Sequence, residues 1–339
     1  MAEKAASNHT RNFWDEIKRM KNNTQCTPHI NGCTSDEDIA ELFRQKYQDL
    51  YTSVPSSSDE INDIHGYIDD TIQNTDLCHH IIFESDVTNA INHLKDGKRD
   101  GNKGLISNHV KYAPKRLHAI IAILLNTSTK HGHLPCELLL STLTSIPKNI
   151  RHNICDIEKY RGIALSSCVS KIHDIIILNK YCKHFSTSQM QYAFKDGHGT
   201  TMCTLMLKEI SSYFKRNNSE MFIAMVDASK AFDRIRHDKL FAILIKRKLP
   251  AIILRILLNA YQRQHMRVKW NNSLSQTFST LNGIKQGSIS SPILFTVYMD
   301  VLLEQLEQSG FGCKIGRHYF GALSYADDLT LICPSPSGL

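Results

Sequence analysis

Two adjacent carboxylates near the end of the chain, Asp327 and Asp328, are the residues best placed to do chemistry. Apolar and β-branched residues flank them on both sides, which predicts two strands joined by a tight turn that carries both acids. Neighbouring carboxylates repel each other unless a positive charge lies between them, and divalent cations prefer carboxylate oxygen. Because Asp is also a favoured turn residue, the pair alone is equally compatible with a polar turn. A metal site requires a third carboxylate from elsewhere.

Residues 221–227 supply a candidate for that third carboxylate. Their near-continuous apolar run, ending in Asp227, predicts a buried central strand with an acid at its end. Ligands commonly bind beyond the ends of strands, so Asp227 is expected at the same edge as the acidic turn. Phe232 follows five residues later and would lie near anything the metal holds, although Phe more often packs in a core.

A glycine-containing segment, residues 282–292, precedes a long predicted helix. Its two glycines, Gly283 and Gly287, permit close approach of the backbone to a ligand. Ser291 followed by Pro292 predicts a helix start, with the serine as the cap and the proline in the first turn.

Cations near two predicted strands suggest phosphate binding. Strand-like pieces around Ile146 and residues 163–165 lie among four basic side chains, Lys148, Arg151, Lys159 and Arg161. Arginine offers a bidentate fork to phosphate, but lysine at a strand edge also prevents aggregation, so both interpretations remain open. The same choice applies to residues 95–104, a glycine-rich basic loop that suits either phosphate contact or simple exposure to solvent.

Composition limits the possible classes of protein. The chain has 339 residues, 42% hydrophobic and 22% charged, which indicates a globular protein with two or three subdomains. Its formal charge of +7 suits a polyanionic partner. No apolar run approaches the ~20 residues of a membrane span, so no membrane partner is expected. Ten scattered cysteines without a CxxC pair indicate a reducing, intracellular environment, compatible with nucleus or cytoplasm, rather than disulfides or structural zinc.

Periodicity predicts the positions of the other elements. The predicted helices are 10–22, 36–50 with Ser35 as cap, 86–94 with Ser85 as cap, 115–128, 169–181 and 238–248, with a linker at 53–58 and a strand pair around Asn271 and Asn272.

Three ordered motifs, VDASKAFDRIRHDKLF, NGIKQGSISSPILFTVYMD and YADDLTLI, resemble the polymerase motifs of reverse transcriptases, most closely those of non-LTR (LINE-type) retrotransposons. Upstream, LKDGKRDGNKGLISNHVKYAP, SIPKNIRHNICDIEKYRGIALSS and QYAFKDGHGTT are similar to the finger blocks of that family. The resemblance extends over residues 80–339.

The resemblance implies an α/β (α+β) right-hand polymerase fold. Residues 76–220 would form fingers and residues 221–339 an incomplete palm, with 255–285 partly in the fingers; residues 1–75 would be a helical extension and linker. The family's thumb would lie beyond Leu339, so the chain is expected to be a fragment of a longer reading frame.

The resemblance also implies RNA-directed DNA polymerase activity with an RNA template, a DNA primer and dNTPs. Asp227 and Asp327 would hold two Mg²⁺ ions, for which Mn²⁺ could substitute, and Asp328 would support them. The aromatic ring of Phe232 matches the steric gate that excludes a ribonucleotide 2′-hydroxyl.

The family pattern gives roles to further residues as well. Gln286, with Gly287, matches the position that contacts the incoming nucleotide or its template partner. Lys148 and Arg161 match the finger cations that bind the triphosphate, with Arg151 an alternative to Lys148. This chain has Gly162 where the family usually has proline after that arginine.

Two other functions compete with this prediction. One is a catalytically poor retrotransposon remnant that at most binds nucleic acid, because phosphate contacts by a thumb would supply much of the duplex affinity. The other is an RNA-dependent RNA polymerase, which the aromatic Phe232 and the Tyr-Ala-Asp-Asp turn disfavour. The sequence does not indicate an oligomeric state.

Overall fold

The computed structural model describes residues 29–54, 56–73, 80–101, 104–148 and 155–339. The predicted helix at 10–22 lies outside these residues. Helices and sheets alternate along the described chain, which confirms the predicted mixed α/β class. No helix in these ranges is both long and apolar enough to cross a bilayer.

The helices are α1 Asp36–Tyr51, α2 Ser58–Gln73, α3 Glu84–His93, α4 Ser107–Lys111, α5 Arg116–His131, α6 Cys136–Leu139, α7 Cys168–Lys180, α8 Thr200–Arg216, α9 His237–Lys246, α10 Ala251–Gln262 and α11 Ser291–Gln308. The strands are β1 Leu140–Pro147, β2 Tyr160–Leu165, β3 Phe222–Asp227, β4 His265–Trp270, β5 Ser273–Leu274, β6 Phe278–Ser279, β7 Lys314–Ile315, β8 His318–Tyr319, β9 Ala322–Tyr325 and β10 Asp328–Cys333.

The first sheet has the order β2-β1-β4-β5, and β6 also pairs with β4. Strands β1 and β2 are antiparallel, whereas β1 and β4 are parallel. Helix α1 covers this sheet: the Phe43 ring lies 5.1 Å from that of Tyr160 and 5.2 Å from that of Trp270, measured between centroids. Ser35 caps the helix as predicted, because its hydroxyl accepts a hydrogen bond from the Asp38 N–H at 3.1 Å.

The second sheet has the order β3-β10-β9 and is antiparallel throughout. Strand β3 lies at its edge, so the prediction of a buried central strand is wrong. Met225 is 77% exposed, and Ile223 and Val226 are exposed as well. The apolar run predicted burial on both faces, but the apolar side chains of α8 pack on β9 and β10, through Ile332 among others, rather than on β3.

Two predicted caps are also wrong. Helix α3 begins at Glu84 rather than after Ser85. The carboxylate of Asp86, inside the first turn, accepts the N–H of the cap residue Phe83 at 2.9 Å and so caps the helix. Ser291 is the first residue of α11, and Ser290 occupies the cap position without a side-chain cap bond. The predicted linker is shorter than expected, since α2 begins at Ser58.

Helix α2 packs against the helices that follow β3. Its residues Ile64 and Ile68 join Phe241 of α9 and Leu254 of α10 in one buried cluster. The N-terminal segment is therefore part of the core that supports the second sheet.

Asp238, at the start of α9, ties this N-terminal segment to the core. Its fully buried carboxylate accepts the backbone N–H of Ser57 at 2.9 Å and that of Lys239 at 2.7 Å, and it pairs with the Arg236 guanidinium. Burial raises the pKa of Asp238, but Arg236 and the two N–H groups outweigh burial and hold the pKa at about 2.

We expect Asp238→Asn to lower the free energy of unfolding by about 2 kcal/mol at pH 7, because the folded chain loses a carboxylate whose pKa lies below its usual value. The carboxylate stabilises the fold above the unfolded pKa near 3.8, and this contribution disappears as pH falls towards 2. Urea unfolding at several pH values measures the difference.

The matched control is Asp63→Asn, because Asp63 is exposed on α2 and has no hydrogen-bond or ion-pair partner in the described part of the chain. A stability difference between the parent and Asp238→Asn that is the same at pH 7 and pH 3 would contradict the assigned role.

Candidate active site

A cleft of about 380 Å³ lies where α1, the first sheet and the acidic hairpin meet. Six of the eight predicted site residues line it: Lys148, Arg161, Phe232, Gln286, Gly287 and Asp327. Asp227 and Asp328 do not line the cleft. They are paired with each other in the second sheet, where β3 ends and β10 begins.

Strand pairing brings the carboxylates to one place. Asp328, the first residue of β10, is the direct partner of Asp227 on β3 and of Tyr325 on β9. The turn consists of Ala326 and Asp327, one residue earlier than predicted. Ala326 has a φ of 57°, a value that matches the first central position of the primed hairpin turns.

The buried side chain of Gln191 holds this turn in place. Its Oε1 accepts the backbone N–H groups of Ala326 and Ala193, each at 3.0 Å, and its Nε2 donates to the Ser324 hydroxyl at 3.0 Å. Sequence reasoning did not identify this role, although Gln191 opens the QYAF block.

The three Asp side chains supply only carboxylate oxygen, the ligand type that hard divalent cations prefer. None of the three carboxylates has a hydrogen-bond or ion-pair partner among the described residues, and Asp227 and Asp328 are exposed. No group of three His, Cys, Asp or Glu in those residues is already close enough to enclose an ion. The donor chemistry fits Mg²⁺, and binding requires the carboxylates to converge from adjacent backbone positions.

Basic side chains outnumber acidic ones along the cleft. Five cations line it: Lys46, Lys148, Arg161, Lys230 and Lys285. Burial lowers the pKa of Lys285 to about 8, although the nearby Asp174 carboxylate raises it. A group of cations in the same cleft as a residue of an acidic turn is suited to a polyphosphate that also binds metal.

Three of these cations, Lys46, Lys230 and Lys285, were not predicted as site residues. Lys230 and Lys285 lie inside two of the three polymerase-like motifs, and this position could have identified them as candidate site residues. Lys46 lies on α1, and nothing in its sequence context distinguishes it from a solvated helix lysine. Arg151, the alternative to Lys148, lies outside the described residues.

Aromatic packing fixes the Phe232 ring. It stacks on Phe295 of α11 with a centroid distance of 4.1 Å and an interplanar angle of 7°. The Phe194 ring is nearly perpendicular to it, with 6.5 Å between the centroids. One side of Phe232 therefore belongs to the core, while the residue also lines the cleft.

Gln286 is held by Asp233, a residue that sequence reasoning missed. Its Nε2 lies 2.9 Å from both carboxylate oxygens of Asp233, and the Tyr51 hydroxyl donates to the same carboxylate at 3.0 Å. Burial raises the pKa of Asp233 above its usual value, and the hydrogen bonds from Tyr51 and Gln286 offset only part of that rise. Gly283 must be glycine here, because its φ is 82° and a Cβ would lie 2.6 Å from the Asp233 carbonyl oxygen.

The structure explains why glycine occupies position 162. A Cβ on Gly162 would lie 2.9 Å from ring carbons of Tyr47, which packs over β2 from helix α1. The Tyr47 hydroxyl also lies 3.2 Å from that of Ser145 on β1. An aromatic ring from α1 therefore fills the space beside Arg161.

Comparison with known proteins adds independent information. A family model described as reverse transcriptase (RNA-dependent DNA polymerase) matches residues 146–339. The chain is 29% identical over 224 residues to the retrovirus-related Pol polyprotein of type-1 retrotransposable element R2 from Nasonia vitripennis. This alignment covers 65% of the present chain and 21% of the R2 protein. It is also 21% identical over 337 residues to the RNA-directed DNA polymerase from mobile element jockey of Drosophila melanogaster. That alignment covers 96% of the present chain and 36% of the jockey protein.

Among solved structures, telomerase from Candida albicans in complex with a fragment of telomeric RNA matches with 13% identity and a TM-score of 0.41. The match covers 59% of this chain and 39% of the telomerase chain. The present chain thus spans about a fifth of the R2 protein and about a third of the jockey protein.

Proposed function

The chain belongs to the reverse transcriptase (RNA-dependent DNA polymerase) family, and we propose that it extends a DNA primer with dNTPs on an RNA template. The observation that carries this proposal is the composition of one cleft. Five cations, an aromatic ring and a glutamine amide face the same space as Asp327 of the acidic turn.

The proposed domains follow the two sheets. Residues 76–220 would form the fingers, and residues 221–339 would form the palm that carries the three aspartates. Parallel pairing of β4 with β1 supports the assignment of part of 255–285 to the fingers, because it inserts β4 into the first sheet. Residues 1–75 would be an extension that supports both.

The metal ligands would be Asp227 and Asp327, with Asp328 in support. When bound, two Mg²⁺ ions, or Mn²⁺ in their place, would activate the primer 3′-hydroxyl and neutralise the departing pyrophosphate. The protein's own contribution is positioning and charge, which account for most catalysis in phosphoryl transfer.

The remaining cleft residues would orient the nucleotide. Lys148 and Arg161, together with Lys46, Lys230 and Lys285, would bind the triphosphate. Phe232 would close the space beside the sugar. Gln286 and Gly287 would contact the incoming nucleotide or its template partner.

Loss of one metal-binding carboxylate tests the proposal. We expect Asp327→Asn to reduce extension of a DNA primer on an RNA template with dNTPs and Mg²⁺ by at least about 100-fold, because an amide is a poor ligand for a hard cation. Asp63→Asn, on the exposed face of α2, should extend like the parent.

Equal extension by the parent and Asp327→Asn would overturn the proposed metal site. If the parent and all variants bind primer–template but none extends it, the chain as given is a nucleic-acid-binding remnant, and the proposed activity is wrong for it.

Sugar selection tests Phe232. The parent should incorporate rNTPs poorly, and Phe232→Val should raise the ratio of rNTP to dNTP incorporation by about tenfold or more, because a smaller side chain leaves room for the 2′-hydroxyl. Single-nucleotide insertion with matched dNTP and rNTP measures this ratio. A parent enzyme that uses both sugars equally would disprove the gate.

A further inference from the structure

The hydrogen bonds between Asp233 and Gln286 determine which end of the Gln286 amide faces the cleft. Asp233 is 6% exposed, and both of its carboxylate oxygens lie 2.9 Å from Gln286 Nε2. The NH₂ end of the amide therefore donates to the carboxylate, whose two oxygens are both within hydrogen-bond distance of Nε2. The Gln286 Oε1, which has no partner among the described residues, is then left as an acceptor at the cleft.

Tyr51, at the end of α1, fixes the other side of the carboxylate. It is 2% exposed, and its hydroxyl donates to Asp233 Oδ1 at 3.0 Å. Burial, and secondarily the neighbouring Asp233 charge, raise the pKa of Tyr51 well above its usual value, so the hydroxyl stays protonated and keeps donating. The hydroxyl and the amide together hold the Asp233 carboxylate in place.

Hydrogen bonds to backbone carbonyls join the segment that carries Gln286 to the turn that carries Asp233 and to the end of α1. The N–H groups of Leu281 and Asn282 donate to the Tyr51 carbonyl at 2.9 and 3.1 Å. The Asn282 side chain donates to the Asp233 carbonyl at 2.6 Å, and the Ile284 N–H donates to the carbonyl of Phe232 at 2.9 Å. The segment that carries Gln286, the turn that carries Phe232 and the end of α1 thus form one hydrogen-bonded unit.

We propose that Asp233 and Tyr51 are positioning residues that present Gln286 Oε1 as a hydrogen-bond acceptor to a hydroxyl or amino group of the incoming nucleotide. The inference rests on the proposed polymerase function. It extends the nucleotide site to helix α1, which lies outside the residues matched by the family model. Tyr47 of the same helix, packed on Gly162 beside Arg161, continues this contact to the phosphate side of the cleft.

Equilibrium binding of a matched dNTP tests the inference. The probe is the protein bound to an RNA template and a dideoxy-terminated DNA primer, so that the nucleotide binds but does not react. Tyr51→Phe removes one hydroxyl and should weaken dNTP binding about fivefold, while the affinity for primer–template stays unchanged. Tyr181→Phe is the matched control, because it removes a buried hydroxyl that is hydrogen-bonded to His80 and belongs to a residue that does not line the cleft.

Reversal of the hydrogen bond gives a second, more specific readout. In Asp233→Asn one of the two acceptor oxygens near Gln286 becomes an NH₂ that faces the Gln286 NH₂, so dNTP affinity should fall several-fold. Adding Gln286→Glu provides a carboxylate that accepts a hydrogen bond from the amide introduced at position 233 and still offers an oxygen to the cleft. The double variant should therefore bind dNTP several-fold more tightly than either single variant.

The outcomes separate the inference from the function on which it rests. If the parent complex binds dNTP and extends an unblocked primer, but Tyr51→Phe and Asp233→Asn bind dNTP as the parent does, the positioning role is wrong. Equal losses of dNTP and primer–template affinity would show a merely structural role and also overturn it. A parent complex that binds no dNTP overturns the proposed function, and the inference with it.

Discussion

The pairing of β3 with β10 is the constraint on which the site depends. It places Asp227 directly opposite Asp328, and the turn adds Asp327 one residue away. Two negative charges on adjacent strands repel each other, so this register is costly unless a cation is present. The ladder of backbone hydrogen bonds nevertheless fixes it, and Gln191 holds the turn from beneath. The arrangement places the carboxylates beside a cleft rich in cations. A polyphosphate with its bound metal would neutralise both groups, because the metal would face the carboxylates and the phosphates would face the cations.

The N-terminal segment completes the site from the other side. Two buried acids near the second sheet each receive a hydrogen bond from it: Asp233 from Tyr51 and Asp238 from the Ser57 N–H. Helix α1 also contributes Lys46 to the cations that line the cleft. The turn that follows β3 is thus held between the second sheet and an N-terminal segment that the family model does not include. Removing that extension would expose both acids and much of the core that α2 covers.

The motifs predicted which residues gather at the site, but not how the surrounding structure holds them. Six of the eight residues that the motifs indicated line one cleft, namely Lys148, Arg161, Phe232, Gln286, Gly287 and Asp327, while Asp227 and Asp328 pair beside it. The burial of β3 was predicted wrongly, since an apolar run does not reveal which strands will be its neighbours. Tyr47 fitted the apolar stripe of the helix predicted over 36–50, and Tyr51 lay just beyond that helix, so the sequence did not indicate that either residue contacts the site. Asp233 was missed because a lone acid is usually exposed.

Metal stoichiometry tests the central claim most directly. Titration of Mn²⁺ into the chain bound to a dideoxy-terminated primer, its RNA template and a matched dNTP, followed by electron paramagnetic resonance, counts the bound ions. The account predicts about two tightly bound Mn²⁺ ions in the parent and in Asp63→Asn, with weaker or fewer bound ions in Asp227→Asn and Asp327→Asn. Unchanged stoichiometry and affinity in both site variants would show that the paired carboxylates are not the metal ligands.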